Sequence, residues 1–174
     1  PMIGGSTMHL MKAESPGPSV DKFVPKVKDT AKILYLLYIG ITVLQIICLL
    51  LAGMPLFDTL THTFGTVGTG GFGVKNTSIG GYTSLQQNII TFFMIASGVN
   101  YSAYFLIISK NFKDAFKMEE VRWYLGIILV AVAIITANTF SLYSGIGETL
   151  KHAFFQVASI ITTTGYSTVD FDLW

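Results

Sequence analysis

The sequence predicts an all-α membrane protein made of span–pore-loop–span repeats. Three observations predict it. Long runs carry no charge, and only 12% of the 174 residues are charged, against about 25% in an ordinary soluble domain. Two shorter apolar stretches run straight into segments rich in glycine and threonine, "GTGGFG" at 68–73 and "TTTGY" at 162–166. Basic residues gather in alternate loops. A hydrophobic content of 51% and a mean hydropathy of +0.59 agree with the membrane class.

Three stretches are long enough to cross a bilayer, which takes about 20 apolar residues. They are Ile33–Ala52, Ile89–Ser109 and Trp123–Tyr143. A soluble protein could bury one such helix, but three in so short a chain would leave almost no surface. Between them lie Pro55–Val67 and Glu148–Ile161, which have the length of re-entrant half-helices. Backbone that leaves a helix at membrane depth must be buried in protein or face water, because lipid cannot satisfy its polar groups. A half-helix followed by glycines between two spans is therefore a candidate pore loop.

Charge orients these elements. Lys12, Lys22, Lys26, Lys28 and Lys32 precede the first span, and Lys110, Lys113, Lys117 and Arg122 lie between the second and third. The opposite segments hold only Lys75 and Lys151. By the positive-inside rule, residues 1–32 and 110–122 are cytoplasmic and 53–88 and 144–174 face outward. Both pore loops then enter from outside. The net charge of +1 gives no basic face for nucleic acid. Cys48 has no second thiol for a disulfide or metal site and reads as a small packing residue. The start lacks a signal peptide's basic region and apolar core. It also lacks an initiator methionine, and the chain closes abruptly on "DFDLW". An internal segment of a longer polypeptide is expected.

Laid over each other without gaps, the half-spans align Leu56 with Leu150, Thr69 with Thr163, Gly71 with Gly165 and Phe72 with Tyr166, an offset of 94. Each unit thus carries Thr-x-Gly-aromatic: Thr69, Gly70, Gly71 and Phe72, then Thr163, Thr164, Gly165 and Tyr166. Potassium-channel filters use such a segment, in which backbone carbonyls replace the ion's hydration shell. Glycine reaches backbone angles that let successive carbonyls point one way. Threonine adds a hydroxyl oxygen at the inner end. The aromatic ring wedges the loop apart from the surrounding helices, and the pore helix aims its C-terminal partial negative charge at the cation path. The fold class is therefore all-α membrane protein with re-entrant pore helices and extended selectivity-filter loops.

The stretches "HLMKAESPGP", "DTAKILYLLY", "HTFGTVGTGGFG", "EEVRWYLG" and "FQVASIITTTGYSTVDFDLW" resemble the TrkH/KtrB superfamily of potassium uptake proteins, most closely its TrkH branch. The resemblance covers essentially the whole chain and is most specific at "ASIITTTGYSTVDFDLW". It implies four units per polypeptide around one pore, one filter glycine per unit (here Gly71 and Gly165), a homodimer, and a cytosolic nucleotide-binding regulatory ring of the TrkA kind. It implies potassium as the transported ion, no organic cofactor in this chain, membrane lipid as surroundings, and the plasma (inner) membrane as location. Residues 1–29 would be the cytoplasmic end of the first repeat and a linker, 30–110 the second repeat, 111–122 a cytoplasmic loop, and 123–174 the third repeat as far as its filter. Gly70 stands where a potassium channel has valine, a departure that loosens the filter.

Gly68, Gly70 and Gly73 match G-x-G-x-x-G, but the dinucleotide fingerprint needs a preceding strand and an acidic residue about 20 positions on. Here a half-helix precedes and the next acid is Asp114. His62 and His152, at non-equivalent positions of the overlay, read as packing or hydrogen-bonding residues outside the filter, so that His62→Ala should matter far less than Gly165→Ser. Asp58, Glu148, Asp170 and Asp172 make the outer face acidic, as pore-mouth charges or plain solvated ones. Ser97, Gly98, Asn100 and Ser102 give the second span a small polar patch, read as helix packing. "ESPGP" reads as a cytoplasmic turn. No acid/base pair or G-x-S-x-G supports an enzyme. The alternative to channel-like permeation is an ion-coupled secondary transporter with broken helices, for another cation or small solute. Such carriers often have inverted repeats, whereas these are parallel.

The charge pattern makes a testable statement about topology. A cysteine introduced at Lys75 should react with a membrane-impermeant thiol reagent added outside cells, and one at Lys113 should not. Labelling of both from the same side would contradict the three-span arrangement.

Overall fold

The computed structural model describes residues 27–174. The lysines at 12, 22 and 26 and the "ESPGP" turn lie outside the described residues. Helix α1 (Val27–Leu51) includes the expected first span, with Ala31–Leu51 apolar enough to cross a membrane. It stops on a Schellman motif. Gly53 takes a φ of 77°, its N–H bonds Leu50 O at 3.0 Å, and Met54 N–H bonds Leu49 O at 3.1 Å. Leu49 and Met54 are both buried and join the same apolar cluster, the contact that usually accompanies this cap. Pro55, which cannot continue a helix, then starts α2 (Leu56–Val67), the expected half-helix.

A short outer segment leads to α3 (Ser84–Gly98), opened by a capping box. Gln86 N–H donates to the Thr83 hydroxyl and Thr83 N–H to Gln86 Oε1. Gln86 Nε2 also donates to Ala52 O at 3.1 Å, fastening α3 to the end of α1. There follow α4 (Tyr101–Ile108), α5 (Phe112–Lys117) and α6 (Glu119–Thr139), which passes into a 3-10 turn at Phe140–Leu142. The stretch Glu119–Leu142 makes a second unbroken span. Helix α7 (Ile146–Ile161) is the second half-helix, and a 3-10 turn at Phe171–Leu173 follows it. Helix α3 packs against both half-helices, α2 and α7, so the two units share one interior.

The expected span Ile89–Ser109 is not a single straight helix. It divides into α3 and α4, which meet at 93°. Val99 is extended, and Asn100 caps α4 by accepting Ser102 N–H at 2.9 Å. Asparagine competes with helical backbone for local hydrogen bonds, so it favours a cap over a helix interior. Two of the carbonyls freed at the end of α3 find tyrosine donors: Tyr124 Oη donates to Ile95 O at 3.1 Å, and Tyr104 Oη donates to Ala96 O. The small polar patch read as packing is therefore also a break.

Burial is inverted relative to a soluble protein. Thr59, His62, Thr63 and Thr66 of α2 are fully buried, while Phe57 and Phe64 of the same helix are exposed. Helix α1 buries Gln45 and exposes Leu36, Val43 and Ile47. Such apolar outer faces suit lipid. One interior cluster joins Leu49, Met54, Ile79, Ile90, Met94, Phe155, Ala158 and Tyr166. A second, of Ile128, Val132, Ala153 and Val157, seats α6 on α7.

A Cβ at Gly98 would strike the Tyr124 hydroxyl and approach Thr162 Cγ2 to 2.9 Å. Gly98→Ala should destabilise by about 1–3 kcal/mol through overpacking, and Tyr124→Phe in the same protein should relieve part of that loss. Thermal midpoints in detergent for the two single variants, the double variant and the wild type test it. Strictly additive effects would contradict the contact.

Candidate functional site

The two half-helices end in the same sequence of hydrogen bonds. After α2, Gly68 N–H bonds Phe64 O, Thr69 N–H bonds Thr66 O, and both Gly70 and Gly71 N–H bond Gly65 O. After α7, Thr162 N–H bonds Ala158 O, Thr163 N–H bonds Ile160 O, and both Thr164 and Gly165 N–H bond Ser159 O. The torsions repeat as well. Gly68 and Thr162 have φ of −85° and −89°, Thr69 and Thr163 of 50° and 59°, and Gly71 and Gly165 of 65° and 86°. The overlay drawn from side chains is therefore also an overlay of backbone.

Left-handed threonines are costly, at roughly 1–2 kcal/mol each. Held strain of this kind gathers at functional sites. Its result here is a pair of loops that present oxygen. Among the described residues, none of the carbonyls of Thr69, Gly70, Gly71, Thr163, Thr164 and Gly165 accepts a hydrogen bond.

The aromatic residues that follow differ. Phe72 O accepts the Tyr166 hydroxyl at 3.1 Å, and Tyr166 O accepts the Ser159 hydroxyl at 2.6 Å. Tyr166 is fully buried, whereas Phe72 is 77% exposed. Among the described residues the wedge expected of both rings is filled by Tyr166 alone. It reaches across from its own loop to the other half-helix, where Gly65 leaves room: a Cβ there would collide with the Tyr166 hydroxyl. The overlaid residue in the other unit is Ser159. Nothing in the half-helix pattern singled out Gly65 or Ser159.

The loops are joined again farther out. Ile79 N–H bonds Ser167 O at 3.0 Å, and Ser167 N–H bonds the Ser78 hydroxyl at 3.2 Å. His152 Nδ1 lies 2.9 Å from the Thr168 hydroxyl, and its ring stacks on Tyr143. His62 is more central than the sequence suggested, since it is fully buried and sits beside both Tyr82 and Tyr166. Of the outer acids, half-buried Asp58 accepts the Tyr82 hydroxyl at 2.8 Å. Burial first, and that bond second, hold the Tyr82 phenol above the usual tyrosine range, so it stays protonated. Beside the break between α3 and α4, a cavity of about 500 Å³ is lined by Thr69, Thr163, Ser97, Asn100, Tyr124 and Glu120 among others. Among the described residues Glu120 is its only charged lining residue, and its carboxylate accepts Asn100 Nδ2 at 2.7 Å.

With this geometry in view, likeness to known proteins becomes informative. A profile of the TrkH family, described as "Cation transport protein", matches residues 1–174. The chain belongs to the TrkH family. It is 38% identical over 179 residues to the Trk system potassium uptake protein TrkH of Salmonella typhimurium, and 37% identical to that of Escherichia coli K12. In both cases all of this chain is covered, and it spans 37% of the relative's length. The crystal structure of the potassium transporter TrkH from Vibrio parahaemolyticus superposes with a TM-score of 0.82 at 25% identity, over 96% of this chain and 36% of that one. The all-α, pore-loop fold is thus that of an integral membrane protein in a family of transporters rather than enzymes.

The overlaid glycines are not equivalent in packing. A Cβ at Gly71 would strike the backbone carbonyl of Thr164, whereas one at Gly165 meets nothing within 4 Å. Both substitutions incur the left-handed penalty of about 1–2 kcal/mol, and only Gly71→Ala adds a clash with backbone, worth about 1–3 kcal/mol more. Thermal stability of the two alanine variants in detergent should rank Gly165→Ala well above Gly71→Ala. The reverse order would contradict the inter-loop packing.

Proposed function

We propose that this chain supplies two filter loops of a potassium uptake protein, in which the ion crosses by gated, channel-like permeation. The observation that carries the reading is the pair of equivalent turns with six carbonyls that no other group among the described residues claims. A dehydrated potassium ion needs several oxygens at once, and uncharged carbonyl dipoles bind it without trapping it. Thr69, Gly70, Gly71, Thr163, Thr164 and Gly165 would turn oxygen to the ion, with Tyr166 as the wall behind them and Phe72 closing the other filter segment through its carbonyl. The partial negative ends of α2 and α7 face the same path. Glu120 would add cation attraction in the cavity beside the break.

The relatives' names, which speak of a Trk system for potassium uptake, support the choice of ion and the presence of further components. On the same footing we assign residues 30–110 and 123–174 to successive units joined by 111–122, with 1–29 closing an earlier unit. A homodimer, a cytosolic nucleotide-binding ring against the face bearing exposed Lys113 and Lys117, and residence in the plasma membrane complete the proposal. The 93° break is a feature that broken-helix carriers share. The repeated threonine–glycine turns, however, lie on the parallel loops and not at the break.

Gly165 is the sharpest test. A side chain there incurs the backbone penalty and projects into open space on the ion path. Discrimination between two ions is a difference of binding energies, and about 1.4 kcal/mol changes it tenfold. In the full-length protein Gly165→Ser should lower potassium affinity or potassium-over-sodium selectivity by about tenfold, read as rubidium uptake with sodium competition at matched membrane expression. Wild-type values in that variant would remove the filter assignment.

A further inference from the structure

A chain of polar contacts runs from the outer surface to the wall of the filter loops. Asp58 Oδ2 accepts the Tyr82 hydroxyl at 2.8 Å, Tyr82 Oη lies 3.0 Å from His62 Nε2, and His62 Nδ1 lies 3.4 Å from Tyr166 Oη. Tyr166 Oη in turn donates to Phe72 O at 3.1 Å. Each group has few alternatives. The single Tyr82 proton is committed to a carboxylate, so His62 Nε2 must be the donor in that contact. In neutral imidazole this leaves Nδ1 as an acceptor, which competes with Phe72 O for the Tyr166 proton. When His62 is protonated, Nδ1 becomes a donor as well. The Tyr166 oxygen then accepts from the imidazolium, and its proton is left to Phe72 O at 3.1 Å, with His62 O a more distant acceptor at 3.5 Å.

We propose that His62 is a positioning residue for the filter. Through Tyr166 it sets how firmly the Phe72 carbonyl is held, and its protonation from the outer side makes permeation sensitive to external pH. The inference rests on the filter reading above and adds a regulator to it. His62 touches no part of the ion path itself. It acts through the tyrosine that joins one unit's loop to the other's half-helix.

The charged and titratable groups around His62 are few. Burial comes first and disfavours the imidazolium, whereas Asp58 on its own helix favours it. Lys75 on the following loop, stacked 4.0 Å over the Tyr82 ring, opposes it. Tyr82 and Tyr166 complete the shell. Helix α3 carries no charged residue, and those of α1 (Lys28, Asp29 and Lys32) sit in its first two turns. A proton on His62 is therefore opposed first by burial and favoured by Asp58, which lies toward the outer medium.

The experiment uses the full-length protein in cells lacking other potassium uptake, with rubidium uptake and sodium competition measured between external pH 5 and 8. The wild type should change its potassium affinity or selectivity severalfold across that range. His62→Gln can still donate to Tyr82 and accept from Tyr166, so it should keep selectivity near the wild-type alkaline value and lose the pH dependence. His62→Ala should lower selectivity at least threefold at every pH. Tyr82→Phe, which cuts the link to Asp58 without touching the filter loops, should displace the midpoint of the pH profile. A flat wild-type profile, or wild-type behaviour in both His62→Gln and Tyr82→Phe, would overturn the inference. Gly165→Ser run alongside separates the two ideas. If it alters selectivity while the His62 and Tyr82 variants do not, the filter stands and the regulator falls; wild-type behaviour in Gly165→Ser removes the filter itself.

Discussion

Irregular backbone at membrane depth has to find its polar partners inside the protein, because hydrocarbon offers none. Each half-helix here ends in four residues whose N–H groups fold back onto their own last turn, which satisfies the donors and strands the acceptors. The rest of the architecture follows from enclosing those loops. Polar faces of α2 turn inward, apolar faces of α1 and α2 turn outward, and α3 lies against both half-helices. A soluble chain would bury Leu36 and Phe57 and expose Thr63. This one does the opposite because its outer solvent is apolar.

Enclosure alone would leave two independent loops. They are tied by Tyr166, whose hydroxyl crosses to the Phe72 carbonyl through the space that Gly65 leaves open, and by the Ile79–Ser167 bond farther out. A carbonyl in a low-dielectric interior that receives a hydroxyl proton is held in direction as well as position. This tie explains why one aromatic residue of the repeat is fully buried and its counterpart exposed. The repeat is close to symmetric in backbone and asymmetric in the side chains that brace it.

The break between α3 and α4 shows the same constraint handled in another way. Interrupting a helix frees carbonyls, and here Tyr124 and Tyr104 supply the missing donors while Asn100 caps the next helix and reaches Glu120. The break between α3 and α4 is thereby clamped to α6 beside the cavity. Motion of α6 would be felt at the break, since Tyr124 and Glu120 both belong to that helix.

The membrane class, the two half-helices with boundaries within two residues, and the threonine–glycine turns were legible in the sequence. They depend on local quantities: uncharged length, charge asymmetry, and backbone freedom at Gly71 and Gly165. Family resemblance was legible for the same reason, since those turns tolerate few residues. Contacts between segments distant in the chain were not legible. The run Ile89–Ser109 carries no charge and only a small polar patch around Asn100, and only Tyr104, Tyr124 and Glu120 brought alongside make a right-angled break cheaper than a straight helix. Gly71 and Gly165 overlay in sequence, yet one packs on a carbonyl and the other borders open space. His62 looked like a packing residue because its partners lie 20 and 104 positions away. Hydrogen-bond partners so far apart in sequence leave no periodic trace, so their selection belongs to the tertiary structure alone.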